Sequence, residues 1–440
     1  MCQKSQLAKL GLFDVKVPRY TSYPTVANFN PTIGPRDFMS WIRAIPPGSQ
    51  ISLYLHVPFC RNLCWFCMCR TQGARSDAPI AAYIDALKHE IISLKTHLPE
   101  GVTLSRLHWG GGTPTIFSPE MIREVTAALA DLAPLSPGAE FSVEIDPNAF
   151  DQARCEALIR AGMTHASIGV QGFDSTTQQA IGRTLDFTRV QTIAEMLRRG
   201  GVQCLSMDLL YGLPHQTQAK ISQSTQSVLS LAPERVTLYT YMHLPALIRR
   251  QAMIPSEALP RPEDRLALFE TARALCLQKG YQAIGIDTFA RANDGLTQTR
   301  SLKRGFQGYS NDPSEVLIGL GASAISRFPQ GYAQNASGTA RYIATIESGS
   351  FATNRGHAFQ GEDRLRGRMI EALLCTFKIP RRDIIQRFPG QEARFNALVS
   401  DACKAFPEIL ALTEEGAVLP EPARDLARVI ARHFDAYVAS

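Results

Sequence analysis

The chain has 440 residues, 45% apolar and 20% charged, the balance of a globular protein long enough for two or more domains. A net charge of +6 without long Lys/Arg runs argues against a nucleic-acid binder and suits an anionic substrate. No apolar run approaches the ~18–20 residues of a membrane span, the N-terminus lacks a signal peptide's apolar core, and ten cysteines without a small disulfide framework fit a reducing cytoplasm.

Residues 1–50 show little regular pattern and read as an N-terminal arm, within which Pro18-Arg19-Tyr20-Thr21-Ser22-Tyr23-Pro24-Thr25 is an extended, aromatic and hydroxyl-rich stretch. Residues 53–59 alternate and are rich in β-branched and aromatic side chains, the pattern of a strand. Cys60, Cys64, Cys67 and Cys69 follow on a loop past its C-terminal end, where α/β folds place their chemistry. Asp77 and Pro79 then start a helix with an apolar face of Ile80, Tyr83, Ile84, Leu87, Ile91 and Leu94. Residues 104–109 form the next strand, leading into Gly110-Gly111-Gly112-Thr113-Pro114, and Ser118 caps a helix with Pro119 at its first position.

Further strands are expected at 141–145, 166–170, 203–209 and 235–240, with helical stretches between them. Six βα units in order predict an α/β fold: a parallel sheet that right-handed crossovers curl into a partial (βα)6 barrel over residues 51–345. Segments 280–290 and 315–326 read as further strands. After a composition shift near 345–360, helices at 365–376, 381–388, 393–405 and 423–438, with a turn at Glu414-Glu415-Gly416, suggest a mainly helical, winged-helix-like C-terminal domain over 346–440.

The cysteine spacing narrows the chemistry. Zinc sites pair two separated C-x-x-C elements, or one with two histidines. Here C-x3-C-x2-C forms one tight loop, the compact thiolate arrangement of an iron–sulfur cluster. Three thiolates on a four-iron cluster leave one iron open for a substrate or cofactor. Gly110-Gly111-Gly112 allows close backbone approach to a ligand. Glu144, Asp146, Gln171 and Asp208 recur at the C-terminal ends of the third, fourth and fifth strands, the rim that carries site residues in a barrel.

C-x3-C-x2-C after a strand resembles the radical S-adenosylmethionine (SAM) superfamily. The fuller run from Tyr54 and His56 through Pro58-Phe59-Cys60 to Cys69 is similar to the oxygen-independent coproporphyrinogen III oxidase (dehydrogenase) family of haem synthesis. Matching runs are 18–25, 207–214, His243-Leu244-Pro245, Phe306-Gln307-Gly308-Tyr309 and Tyr332-Ala333-Gln334-Asn335. The resemblance implies a 4Fe–4S cluster held by Cys60, Cys64 and Cys67, with Cys69 required but not a ligand; Cys69, Tyr54 and His56 are the candidate catalytic residues. It implies contacts from Tyr54, Gly111, Glu144 and Ile325 to one SAM, and from Phe66, Gly112, Thr113, Gln171, Arg183, Asp208 and Met242 to a second. It implies decarboxylation of the ring A and B propionates of coproporphyrinogen III to vinyl groups, an electron donor such as flavodoxin or ferredoxin, a monomer, and an N-terminal arm close to the active site. Arg19, Arg183, Arg291 and Arg304 are candidates for pairing with substrate carboxylates.

Five positions depart from the family pattern. Met68 replaces a glycine, Arg70-Thr71 an Asn-Lys pair, Thr288 a histidine, and Met242 a smaller residue. The alternatives are a haem chaperone of the same superfamily, a radical SAM methyltransferase or haem-ring-opening enzyme, and a zinc-bearing DNA-binding protein. Cys69, the 18–25 run and the Phe306–Tyr309 run argue against the chaperone.

Overall fold

The computed structural model describes residues 9–13 and 17–437; Cys2 and the end of the last expected helix lie outside them. Two compact units emerge, one of Asn30–Tyr281 and Pro313–Gly356, the other of Met1–Phe29, Gln282–Asp312 and His357–Ser440.

The larger unit is built on six parallel strands in chain order: β1 (Gln50–Val57), β2 (Thr103–Gly111), β3 (Leu135–Ile145), β4 (His165–Gln171), β5 (Cys204–Tyr211) and β6 (Arg235–Thr240). Helices α1 (Ala78–Lys95), α2 (Pro119–Leu132), α3 (Gln152–Arg160), α4 (Phe187–Arg199) and α5 (Gln218–Ser230) alternate with them. The expected apolar face of α1 is buried throughout. Ser118 caps α2 by accepting from the Met121 amide at 3.2 Å. Asp77 makes no cap bond and pairs instead with Arg61. β3 begins earlier than the pattern suggested, because Leu135 pairs with Leu104 across a register shift that absorbs Pro137-Gly138.

Register sorts the side chains onto two faces, since alternate residues of a strand point opposite ways. Leu53, Leu55, Leu107, Trp109, Phe141, Val143, Ile168, Met207 and Leu238 share one parity and are buried. Tyr54, His108, Ser142, His165 and Cys204 lie side by side on the other parity, with His56 and Glu144 two residues and Asp208 four residues further along their strands. One face is thus hydrocarbon throughout and the other carries most of the polar candidates. On the far side of β1 the sheet continues with β7 (Leu317–Leu320), parallel to it, then β8 (Ile325–Phe328) and β9 (Gly331–Asn335), each antiparallel to the strand before it, and last β10 (Thr353–Ala358). The single segment expected at 315–326 is therefore two strands, turned at Gly321, where φ is +94°.

The smaller unit has its own core of Leu365, Met369, Leu373, Ile384, Phe395, Val399 and Ile430, among others. Its elements run helix (Asp363–Thr376), strand (Lys378–Pro380), helices (Arg381–Arg387, Glu392–Ala405) and hairpin (Ala411–Thr413 with Gly416–Val418). Tyr20 and Tyr23 belong to this core: the Tyr20 hydroxyl donates to Asp435 at 3.0 Å, and the Tyr23 hydroxyl accepts from the Ala436 amide at 2.9 Å. The compact units therefore follow other boundaries than 1–50, 51–345 and 346–440. Buried Tyr20 and Tyr23 tie their stretch of the arm to the C-terminal segment, and residues 30–50, including the helix Pro35–Arg43, belong to the larger unit.

Candidate active site

β1 ends at Val57, and the cysteine loop starts at once. Its two ends are clipped together by a short parallel pairing, Phe59 with Gln72 and Cys60 with Gly73. Between these ends the loop is fixed at several points. The Trp65 amide donates to the Ile181 carbonyl at 3.1 Å, and the Trp65 ring lies where a Cβ on Gly182 would stand, 2.5 Å from it. The Phe66 ring packs against a cluster containing Ile181, Leu213 and Tyr241. The Gln251 amide, fully buried, donates to the carbonyls of Phe66 and Met242 at 3.1 Å each. Arg250 donates to the Cys67 carbonyl at 3.1 Å, the Cys69 carbonyl at 2.8 Å and the Thr71 hydroxyl at 3.0 Å.

The glycine run at the end of β2 packs under the loop. The Gly112 amide donates to the Val57 carbonyl at 2.7 Å, and a Cβ there would meet the Phe59 carbonyl at 2.7 Å and the Cys60 sulfur at 3.0 Å. The Thr113 hydroxyl donates to Cys60 Sγ at 3.4 Å. Gly111 has φ +121°, and its amide donates to Glu144 Oε2 at 3.1 Å. The other Glu144 oxygen accepts from His108 Nε2 at 3.3 Å, and Ser142 donates to His108 Nδ1. Tyr54 stacks on His108 with centroids 5.7 Å apart.

His56 Nε2 faces the Arg70 carbonyl at 3.3 Å, so it carries the proton, and Nδ1 accepts from the Tyr54 hydroxyl at 2.9 Å. Burial lowers the His56 pKa, which keeps this neutral tautomer. Burial, reinforced by Glu144 and Cys69, holds the Tyr54 phenol well above its usual value.

Further round the rim, Gln171 sits at φ +69°. Arg183 donates to the Gly169 carbonyl at 2.7 Å and to Asp146 at 3.2 Å. Asp208 pairs in register with Gly169 and accepts from Ser167 at 3.1 Å. Ile325 lies on β8 with its backbone against Gly319, the register partner of Tyr54. The candidate cluster, SAM and catalytic residues all belong to the larger unit, whereas the candidate arginines Arg19 and Arg291 belong to the smaller one. Arg304 belongs to the smaller one, where its guanidinium is paired with Asp287 at 3.0 and 3.3 Å.

The donor set fits a cluster. Cys60, Cys64 and Cys67 share one loop, over a glycine cradle that any side chain would fill. Among the described residues no three His, Cys, Asp or Glu side chains converge on a single-ion site. A cluster whose irons each take one thiolate spreads its ligands more widely than a zinc knuckle does. Burial pushes the Cys60 and Cys64 thiols up to about 11. A hydrogen bond between Cys67 and Cys69 drives that pair apart: Cys69 is held well above its usual value, and Cys67 is pulled down to about 6.

The radical SAM superfamily model matches residues 54–227, from the first candidate residue through β5 and most of α5. A coproporphyrinogen III oxidase (HemN) from Escherichia coli, a radical SAM enzyme, superposes with a TM-score of 0.91 at 32% identity, covering 96% of this chain and 98% of that one. Oxygen-independent coproporphyrinogen III oxidases of Cereibacter sphaeroides and Paracoccus denitrificans are 54% and 53% identical to this chain. They cover 100% and 99% of it, and 98% of each relative is matched. Fold and cysteine loop together define a radical SAM enzyme, whose chemistry runs on a 4Fe–4S cluster and SAM. Within that class, the chain belongs to the oxygen-independent coproporphyrinogen III oxidase family of haem biosynthesis.

Sequence reasoning missed His108, which shares the parity of Tyr54 and lies two residues before the glycine run, and Tyr83, whose hydroxyl donates to the His56 carbonyl at 2.6 Å. It also missed Arg250 and Gln251, for which the sequence carries no signal. Met68 is 42% exposed and lies outside the left-handed positions, so the missing glycine strains nothing.

Proposed function

We propose that this chain carries out the oxygen-independent oxidative decarboxylation of the ring A and B propionates of coproporphyrinogen III to the vinyl groups of protoporphyrinogen IX. The observation that carries the reading is the seating of Cys60 on the Gly112–Thr113 turn, which brings the cysteine loop onto the polar end of the sheet. Cys60, Cys64 and Cys67 hold the cluster and leave its fourth iron open. When bound, the cluster and SAM supply the one-electron and hydrogen-abstraction chemistry.

The chain's own residues bind, orient and exclude water. Glu144, anchored by Gly111 and His108, keeps acceptor capacity toward the site for the ammonium of a SAM beside Tyr54, Gly111 and Ile325. Arg183, oriented by Gly169 and Asp146, offers its remaining donors to a carboxylate. With Phe66, Gly112, Thr113, Gln171, Asp208 and Met242 it forms the second SAM subsite. Tyr54 passes its hydroxyl proton's hydrogen bond to neutral His56, which fixes both rings at the strand end. Cys69, two residues from a cluster ligand, acts on the substrate side of the loop. The donor is a small flavodoxin- or ferredoxin-type protein, and the enzyme works as a cytoplasmic monomer. No helix among the described residues is long and apolar enough to cross a membrane.

Anaerobic reconstitution of single alanine variants tests this. Cys60→Ala, Cys64→Ala and Cys67→Ala each lose most of the iron, whereas Cys69→Ala keeps its iron and loses conversion of coproporphyrinogen, read by mass spectrometry of the tetrapyrrole. Equal iron loss in Cys69→Ala would overturn the division of roles.

A further inference from the structure

We propose that Arg250 is a positioning residue for the cluster loop: its guanidinium locks the Cys67–Thr71 half of the loop and sets positive charge beside the third cluster ligand. This rests on the reading of Cys60, Cys64 and Cys67 as ligands. Three of its N–H groups point at three acceptors of that one half: Cys67 O, Cys69 O and Thr71 Oγ1. The planar fork has the donor count and rigidity to hold all three at once; an ammonium does not. Its neighbour Gln251 pins the preceding residue, Phe66, and is itself fixed by the Leu244 amide. Arg250 thus stands on a buried base rather than on a mobile stem.

Other contacts hold the first half of the loop, through the Cys60–Gly73 pairing and Trp65. Cys69 is held by Arg250 at its carbonyl and by hydrogen bonds from its backbone and thiol to Cys67. Thr71 takes part as an acceptor. A lysine there would present a second cation to the guanidinium and repel it.

Two consequences separate this from a generic structural role. A fixed positive charge near a cluster favours the reduced, more negative state, so losing it moves the midpoint potential in the negative direction. The lock also sets how fast the loop opens to a chelator. The experiment uses the full chain, reconstituted anaerobically, in wild type, Arg250→Ala, Arg250→Lys and Thr71→Val, with iron content, redox titration and iron release to EDTA as readouts.

Arg250→Ala should release iron at least ~10-fold faster than wild type, a conservative figure for three lost charge-assisted hydrogen bonds. Its potential should fall. Arg250→Lys should keep a potential near wild type, because the charge remains, while still releasing iron faster. Thr71→Val should accelerate release without moving the potential. Wild-type release and potential in Arg250→Ala would overturn the proposal and leave the ligand assignment standing. Failure of wild type itself to take up iron would overturn the ligand assignment and this proposal with it.

Discussion

Gly112→Ala is the smallest change that probes how the glycine run seats the cysteine loop. The added methyl would stand 2.7 Å from the Phe59 carbonyl oxygen and 3.0 Å from Cys60 Sγ. The first of these is backbone and cannot swing aside. Relief requires Gly112 to retreat from β1, which stretches its 2.7 Å hydrogen bond to the Val57 carbonyl. That bond contributes about 1 kcal/mol, and overpacking a tight site costs about 1–3 kcal/mol more. The total of roughly 2–4 kcal/mol corresponds to a melting shift on the order of 3–6 °C for a unit of this size. The retreat also drags Cys60, so iron uptake falls. The assay is a thermal melt of the reconstituted protein beside an iron determination, with Gly305→Ala as control because a Cβ there meets nothing within 4 Å. Wild-type melting and full iron in Gly112→Ala would refute the idea that this turn is packed against the cluster loop.

Tyr23→Ala should destabilise the smaller unit by ~3–5 kcal/mol in urea unfolding, because a buried ring leaves a cavity; Tyr23→Phe, losing one hydrogen bond, should cost about 1 kcal/mol. Arg183→Lys should load iron normally and turn over at least ~10-fold more slowly, since an ammonium cannot both grip a carboxylate bidentately and keep the Gly169 and Asp146 contacts; wild-type turnover would place it outside the site. Glu140 should dominate part of the acid response. Burial alone would raise its pKa, but Arg106 and then His165 outweigh it and hold the carboxyl at about 2. Its stabilisation, ~3 kcal/mol, is present above the unfolded value near 4.5 and is lost as pH falls through about 2. Glu140→Gln should therefore flatten the stability–pH curve between those values in urea titrations, and an unchanged slope would remove the carboxylate from the account.

The barrel was legible because its strands report both faces. Alternation placed all six strands, five of them within a few residues of their observed spans and β3 short by its first six residues, and parity alone puts Tyr54, His56, Glu144 and Asp208 together. The glycine run and Ser118 were readable for a local reason: each acts within a few residues of itself. The arm was not. Its tyrosines find their partners more than four hundred residues away, and nothing near Tyr20 hints at Asp435. Arg250 and Gln251 escaped likewise, since an arginine bonded to carbonyls about 180 residues earlier looks like any surface arginine in one dimension. The last helix was expected as one piece and is instead a 3-10 turn, Glu421–Leu426, leading into Ala427–His433.

The pairing of Tyr20 with Asp435 also has a timetable. The two residues are 415 apart, and a ribosome adding about 5–20 residues per second spends on the order of 20–80 s between them. The larger unit is complete once Gly356 has emerged, but the smaller one needs both Tyr20 and Tyr23 and the Asp435–Ala436 segment they bind. Through nearly the whole of synthesis Tyr20 and Tyr23 are outside with no core to enter. The stretch that carries Tyr20 and Tyr23 is therefore among the last parts to be folded, and in the cell it spends that interval as a segment that chaperones can hold and proteases can cut.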